Sequence, residues 1–269
     1  MPISTGTHIL YTVRHGDSLN AIANAFGTNV PAIVEANALY PPHNVPDRIF
    51  PGQTLLIRLP GMSQQSNLLY QVRPGDTFYR IASDFAVDVD MLAALNRLQQ
   101  PGMLFVGQQL YVPGFLYEVE SGDTLSIIAR RYGTSLSQLF RWNYNRPGLS
   151  TDVITPGFLL LVPLPFSTNI VVFDPLPASL VAQGQRMTGV ARAFEAVIQY
   201  RVVEDTGRVV TPEQAVMTNA GAPAYGTFAI PLRFEQTPIY PTGKVQVYTR
   251  SANDGSVRDL VEFPISFSY

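Results

Sequence analysis

Arg14 to Ala23 reads RHGDSLNAIA, Arg73 to Ala82 reads RPGDTFYRIA, and Glu120 to Ala129 reads ESGDTLSIIA. One ten-residue phrase is written three times. Each copy follows a Tyr-x-Val run, sets Gly-Asp-Ser/Thr at a turn and continues into an apolar pattern of helical period. An Asn stands 20 residues after each Asp: Asn37 after Asp17, Asn96 after Asp76 and Asn143 after Asp123. Equal internal spacing in three copies marks one supersecondary unit used repeatedly.

Within the first copy Leu19, Ile22, Ala23 and Phe26 fall at i, i+3, i+4 and i+7, the stripe of an amphipathic helix. Phe78, Ile81, Ala82, Phe85 and then Leu125, Ile128, Ala129, Tyr132 repeat it. Asp17 or Ser18, and their counterparts, stand where a helix needs an acceptor for its free N–H groups. Gly27 and Gly133 suit a left-handed helix end, whereas Ala86 in the second copy predicts a different ending. A second helix follows, with Val30, Ile33, Ala36; Val89, Leu92, Leu95; and Leu136, Leu139, Trp142 inward. Trp142, the sole Trp, is expected in the third core. Pro51-Gly52-Gln53, Val106-Gly107-Gln108 and Pro156-Gly157-Phe158 then lead into closing strands at 54–59, 109–112 and 159–162. Each unit therefore reads strand, helix, helix, strand, with its two strands antiparallel and its helices on one face.

These residues resemble the lysin motif (LysM) family, small βααβ modules that bind glycans containing N-acetylglucosamine. The likeness rests on Tyr-x-Val-x-x-Gly-Asp-Ser/Thr, the Ile-Ala of the first helix, the Asn ending the second, and the Pro/Val-Gly-Gln/Phe before the last strand. It covers residues 9–60, 68–113 and 115–164. Val106 and Phe158 depart from the family's usual Pro and Gln. The family's groove lies between the loop opening the first helix and the loop leading into the last strand. Carried onto this chain, that implies glycan contacts at Gly16, Asp17, Ser18 and Leu19 with Ile49 and Phe50. In the second copy it implies Gly75, Asp76, Thr77, Phe78 and Tyr79 with Leu104 and Phe105. In the third it implies Gly122, Asp123, Thr124 and Leu125 with Ile154 and Thr155. Leu19, Phe78, Leu125, Ile49, Leu104 and Ile154 read equally well as core. Phe50, Tyr79 and Phe105 break the polar pattern of exposed positions and read as surfaces for stacking sugar rings, which Thr155 lacks.

Residues 1–8 look like a disordered lead-in. The stretch 60–67 reads as a mobile linker, while Gly114 alone separates copies two and three and fixes their orientation. A Pro-rich joint at 163–168 introduces a different pattern. From residue 169 to 269 the period is two, as in Phe194, Ala196, Ile198, Tyr200, Val202, with further strands expected at 228–234, 244–250 and 261–267. Turns are signalled at Asp205-Thr206-Gly207 and Asn253-Asp254-Gly255. About seven short strands in about 100 residues predict a two-sheet sandwich of immunoglobulin type. This half resembles the immunoglobulin-like domain of bacterial spore germination proteins, through Val172 to Pro175, Thr188 to Ala191, Phe194 to Ala196, Gly226 to Phe228 and Ser251 to Ser256. The fold expected for the whole is multidomain: three small α+β (βααβ) units and a C-terminal all-β sandwich.

Composition narrows the functions. The 18 Lys and Arg residues nearly balance the 20 Asp and Glu, and neither half carries the basic excess that a nucleic-acid binder needs. With no Cys, disulfides, thiolate metal sites and cysteine nucleophiles are excluded. No apolar run reaches the roughly 20 residues of a membrane span, and MPISTGTHIL lacks the basic and long apolar regions expected of a signal peptide. Each unit offers one carboxylate, where a glycosidase needs two about 5 to 10 Å apart. Asp17, Asp76 and Asp123 therefore read as acceptors for helix N–H groups. His8, His15 and His43 show no metal-ligand spacing and read as surface residues. No catalytic residue, metal or cofactor is expected. The expectation is non-catalytic, multivalent binding of peptidoglycan or other N-acetylglucosamine oligomers in a bacterial cell wall or spore envelope. Alternatives are a structural spore-coat or germination protein whose sandwich docks a spore or cell-envelope protein, and a recruiter of a cell-wall hydrolase.

Overall fold

The structure is a computed structural model that describes residues 3–40, 48–61, 67–98, 102–149 and 154–268. It forms two compact units, one holding the three βααβ copies apart from residues 129–134 and one holding the β-sandwich together with those residues.

After a short strand β1 (Ile3–Ser4), the first copy comprises β2 (Thr7–Thr12), α1 (Leu19–Phe26), α2 (Val30–Ala36) and β3 (Thr54–Arg58). The second comprises β4 (Asn67–Gln71), α3 (Phe78–Asp84), α4 (Val89–Leu95) and β5 (Gln109–Val112). The third comprises β6 (Gly114–Glu118), α5 (Leu125–Arg131), α6 (Leu136–Trp142) and β7 (Leu159–Pro163). In each, the outer strands pair antiparallel. The helical stripe meets the strands in a core that in copy one is Ile9, Leu19, Ile22, Ile33, Leu55 and Ile57. Burying each such side chain contributes roughly 1.5–3 kcal/mol.

A module this short buries too little to be stable by a wide margin, and the copies add surface by packing together. Strand β2 pairs in parallel with β4, from Thr7 opposite Asn67 to Leu10 opposite Tyr70, making one four-stranded sheet of copies one and two. Strand β1 pairs with β6 of copy three, so the expected disordered lead-in is a strand whose partner lies more than a hundred residues away. Residues 62–66 of the expected mobile linker lie outside the described residues, and the β2–β4 pairing sets the orientation of copies one and two whatever the linker does.

Trp142 is buried as expected, with its ring over Gly114 of β6 in copy three. It also reaches copy two: its Nε1 donates to the Phe85 carbonyl at 2.9 Å, and its ring meets Phe85 edge-on at 5.0 Å. It therefore joins two cores. His8 is buried in β2, not on the surface, with Nδ1 3.1 Å from the Gly6 carbonyl oxygen, and burial pushes its imidazole down to about 4. His15 is exposed and His43 lies outside the described residues. Ala86 does not end its helix differently. It adopts φ 52°, close to the 64° of Gly27 and the 68° of Gly133, and Val87 N–H bonds back to Ala82 O as Thr28 does to Ala23. An Ala in this conformation carries a penalty of about 1 kcal/mol relative to Gly.

The sandwich has a three-stranded sheet of β8 (Ile170–Asp174), β10 (Arg186–Ala191) and β13 (Gly226–Pro231). Facing it is a five-stranded sheet of β9 (Leu180–Val181), β11 (Val197–Glu204), β12 (Val209–Met217), β14 (Thr242–Arg250) and β15 (Val257–Phe267). Val172, Met187, Ile198, Val202, Val245, Val247, Phe263 and Ile265 fill the space between them. The strand expected from Phe194 begins only at Val197. Glu195 and Ala196 take φ 55° and 58° in a single 3-10 turn, which leaves Phe194 exposed instead of inward. The hairpin at Asp205-Thr206-Gly207 forms, pinned by buried Glu204, which accepts from the Ile239 backbone and pairs with Arg208 at 3.0 Å.

Candidate functional site

Gly16, Gly75 and Gly122 take φ 83°, 82° and 89°, a region that only Gly enters without strain, and this turns each chain from strand to helix. The Asp that follows does not cap the helix. Asp17 Oδ2 accepts from Tyr11 Oη at 2.6 Å and from Arg14 N–H at 2.7 Å. Asp76 does the same with Tyr70 at 2.7 Å and Arg73 at 2.8 Å, and Asp123 with Tyr117 and, at 3.0 Å, Glu120. The carboxylate thus ties the turn back onto the preceding strand. Burial, then the bond to Asp17, pushes the Tyr11 phenol up to about 12, so it stays a donor. Tyr70 is raised likewise. The capping acceptor is the next residue: Ser18, Thr77 and Thr124 accept from Ala21, Arg80 and Ile127 N–H at 3.1 to 3.2 Å.

The second wall of the candidate groove is bonded to the first in the same way three times. Val13, Val72 and Val119 donate to the carbonyls of Gln53, Gln108 and Phe158, and their own carbonyls accept from Gly52, Gly107 and Gly157, all at 2.8 to 2.9 Å. In copies one and two a Gln then clamps the loop from within. Gln53 Oε1 accepts from Phe50 N–H at 2.8 Å, and Gln108 Oε1 from Phe105 N–H at 3.0 Å. Sequence reading assigned these glutamines no role, although their recurrence beside Gly was the available signal.

Copy three has no such clamp. Phe158 turns inward and is buried, with the Arg146 guanidinium 4.7 Å over its ring. Arg146 is itself buried, donates to Leu159 O of its own copy, and reaches Ala36 O of copy one at 3.5 Å. Burial pushes it down to about 9, which leaves it charged at neutral pH. The residue that breaks the clamp has become part of a joint between copies.

Of the apolar candidates, Leu19, Phe78 and Leu125 lie in the cores, while Ile49, Leu104, Ile154 and Thr155 are half-buried beneath the loops. Phe50, Tyr79 and Phe105 are 55%, 74% and 66% exposed. Tyr79 is the second residue of α3, just after the Gly75–Thr77 turn, and Phe105 lies on the loop that bonds to Val72, ahead of that turn. Two large exposed aromatics thus stand on the loops of the second candidate groove and one on those of the first. In the third the equivalent positions hold Ser126 and Thr155.

The recurring Asn completes the frame. Asn37 Oδ1 accepts from Leu56 N–H at 2.7 Å, and its Nδ2 donates to Leu56 O at 2.7 Å and Ile33 O at 2.9 Å. Asn96 repeats this with Tyr111 and Leu92, and Asn143 with Leu161 and Leu139. Each side chain pairs with the closing strand as a backbone amide would, and so holds the second helix on the sheet. Among the described residues no three His, Asp or Glu side chains are placed to hold a metal ion. Nor is any helix there long and apolar enough to cross a membrane.

Comparison with known proteins adds context to this geometry. A family model described as the LysM domain matches residues 11–58, 70–113 and 117–163. Another, the immunoglobulin-like domain of bacterial spore germination, matches 169–256. An autolysin of Enterococcus faecalis is 31% identical over 59% of this chain and 25% of its own length. A probable peptidoglycan endopeptidase LytE of Bacillus subtilis is 32% identical over 56% of this chain and 49% of its own. The chain thus spans a quarter to a half of these relatives. Among solved structures, the Bacillus cereus spore cortex-lytic enzyme SleL is 37% identical over 39% of this chain and 22% of its own, with a TM-score of 0.28.

Proposed function

The chain belongs to the LysM family, with three copies followed by an immunoglobulin-like domain of bacterial spore germination, and from that premise we propose that it is a non-catalytic binder of peptidoglycan through N-acetylglucosamine-containing strands. The observation that carries this is the second groove: two bonded loops with Tyr79 and Phe105 exposed beside them. Flat apolar faces next to backbone N–H and C=O groups are what a pyranose ring with an N-acetyl amide requires. The first groove has Phe50 alone and the third has no aromatic, so affinity should fall from copy two to copy one to copy three. Because strand pairing holds the copies in one array, multivalency depends on the spacing of fixed sites rather than on linker length. The relatives named as an autolysin and an endopeptidase favour a setting at the cell wall or spore envelope, where the array holds a hydrolase partner or the sandwich to the polymer.

Sedimentation of the chain with purified peptidoglycan tests this reading. The chain should pellet with the polymer, and Phe50→Ala/Tyr79→Ala/Phe105→Ala should remain in solution while melting normally. A triple variant that pellets like the parent rejects the grooves. Release of soluble sugar or peptide by the parent rejects the non-catalytic assignment.

A further inference from the structure

A second recess opens where the three copies meet. It has a volume of about 420 Å³ and takes walls from Leu10 and Thr54 of copy one, Arg73 and Arg80 of copy two, and Phe140 and Arg141 of copy three. That size falls within the roughly 300–1,000 Å³ of small-molecule pockets. Its charge is unlike that of the grooves. Three guanidinium groups face one carboxylate, Asp84. Arg73 is committed to Asp76, at 3.2 Å, and lies 5.8 Å over the Tyr70 ring. Arg141 gives one N–H to the Ser83 carbonyl at 3.2 Å, which leaves most of its fork open. Arg80 is exposed and, among the described residues, its guanidinium has no hydrogen bond or ion pair. Tyr144, 64% exposed, supplies an aromatic rim.

Two open guanidinium forks against one Asp leave positive charge that an uncharged N-acetylglucosamine chain does not use. Planar forks select a carboxylate by paired hydrogen bonds, and the Phe140 and Tyr144 walls suit the aliphatic part of a short peptide. Arg80 directly follows Tyr79 on α3, so one helix carries a residue of the recess and a residue of the second groove, about 100° apart around its axis. We propose that this recess takes the acidic peptide arm carried by the cell-wall glycan, with Arg80 and Arg141 binding its carboxylates while the sugar chain occupies the second groove. This rests on the glycan-binding reading above and extends it from the sugar to its substituent.

Calorimetric titration of the whole chain tests it with three probes: an N-acetylglucosamine tetramer, a peptidoglycan tetrasaccharide bearing its peptides, and the same tetrasaccharide after the peptides are removed. The peptide-bearing form should bind tighter than the stripped form, and Arg80→Glu should weaken it about tenfold, as expected for replacing an attractive charge beside the carboxylate by a repulsive one. Arg80→Glu should leave the other two within about twofold and the melting temperature unchanged, since Arg80 makes no contact that folding needs. The proposal is overturned if Arg80→Glu weakens all three alike or none. It is also overturned if only a glycerol phosphate polymer responds to Arg80→Glu, which would assign the recess to phosphate. If neither peptide-free sugar binds but the peptide-bearing form does so through Arg80, the groove reading falls and the recess stands. If no probe binds, both fall.

Discussion

Copies two and three share a skeleton and differ at its lip. Both tie an Asp to a Tyr of the first strand, cap α3 or α5 with Thr, and pair an Asn with the closing strand. Yet copy two presents Tyr79, Phe105 and a clamping Gln108, where copy three has Ser126, Thr155 and an inward Phe158. The bonds that build the module therefore stay constant where the exposed surfaces of the candidate grooves differ. Copy three keeps the same skeleton while Phe158 and Arg146 serve packing where copies one and two have a clamp.

The largest effects should come from breaking the shared skeleton, and they should appear in both copies. Asn143→Ala strands the buried N–H and C=O of Leu161, and Asn96→Ala the half-buried pair of Tyr111, so each should cost stability, about 3 kcal/mol in copy three and about 2 kcal/mol in copy two. Chemical denaturation measures this, and a loss confined to one copy would break the comparison. Acid should act on the skeleton before the lip. His8 ionises at about 4 when folded and near 6.5 when unfolded, so the unfolded chain binds the extra proton in between. Stability is whole above pH 6.5 and falls by about 3 kcal/mol as pH drops to 4. His8→Gln should flatten that limb of the melting curve. A smaller effect, about 2 kcal/mol, is expected for Trp142→Phe, which keeps an aromatic ring but removes part of the buried indole and its N–H bond to Phe85 across the joint. The smallest is a gain. Ser126→Tyr with Thr155→Phe places the copy-two aromatics on copy three and should tighten sugar oligomer binding by about threefold, less than full transfer because Phe158 still cannot clamp the loop.

The sequence made the repeat, its helices and its closing strands legible because all of them follow local period and spacing. The constant step from Asp17 to Asn37 was visible too, but its meaning was not, since Asn37 bonds to Leu56 on a strand 19 residues further on. The same limit hid the role of Asp17, whose partner Tyr11 precedes it by six residues, and the pairing of β1 with β6. Local chemistry misled at Ala86, where the shape of the module overrides the residue's preference, and at Phe194, where a two-residue period ran through a 3-10 turn. In the candidate site, exposure of Phe50, Tyr79 and Phe105 could be anticipated from their polar neighbours. Burial of Leu19, Phe78 and Leu125 could not be separated from a groove role, because one residue at the start of a helix lies next to both.

The central claim is that exposed aromatics at the lip, not the shared skeleton, decide which copy holds the glycan. Titration of an N-acetylglucosamine tetramer into the whole chain and into Tyr79→Ala/Phe105→Ala tests it most directly. The account predicts a loss of at least about tenfold in affinity, roughly 1.4 kcal/mol, with melting unchanged. Equal affinity in the two proteins, or a larger loss from Thr155→Ala in copy three, would contradict it.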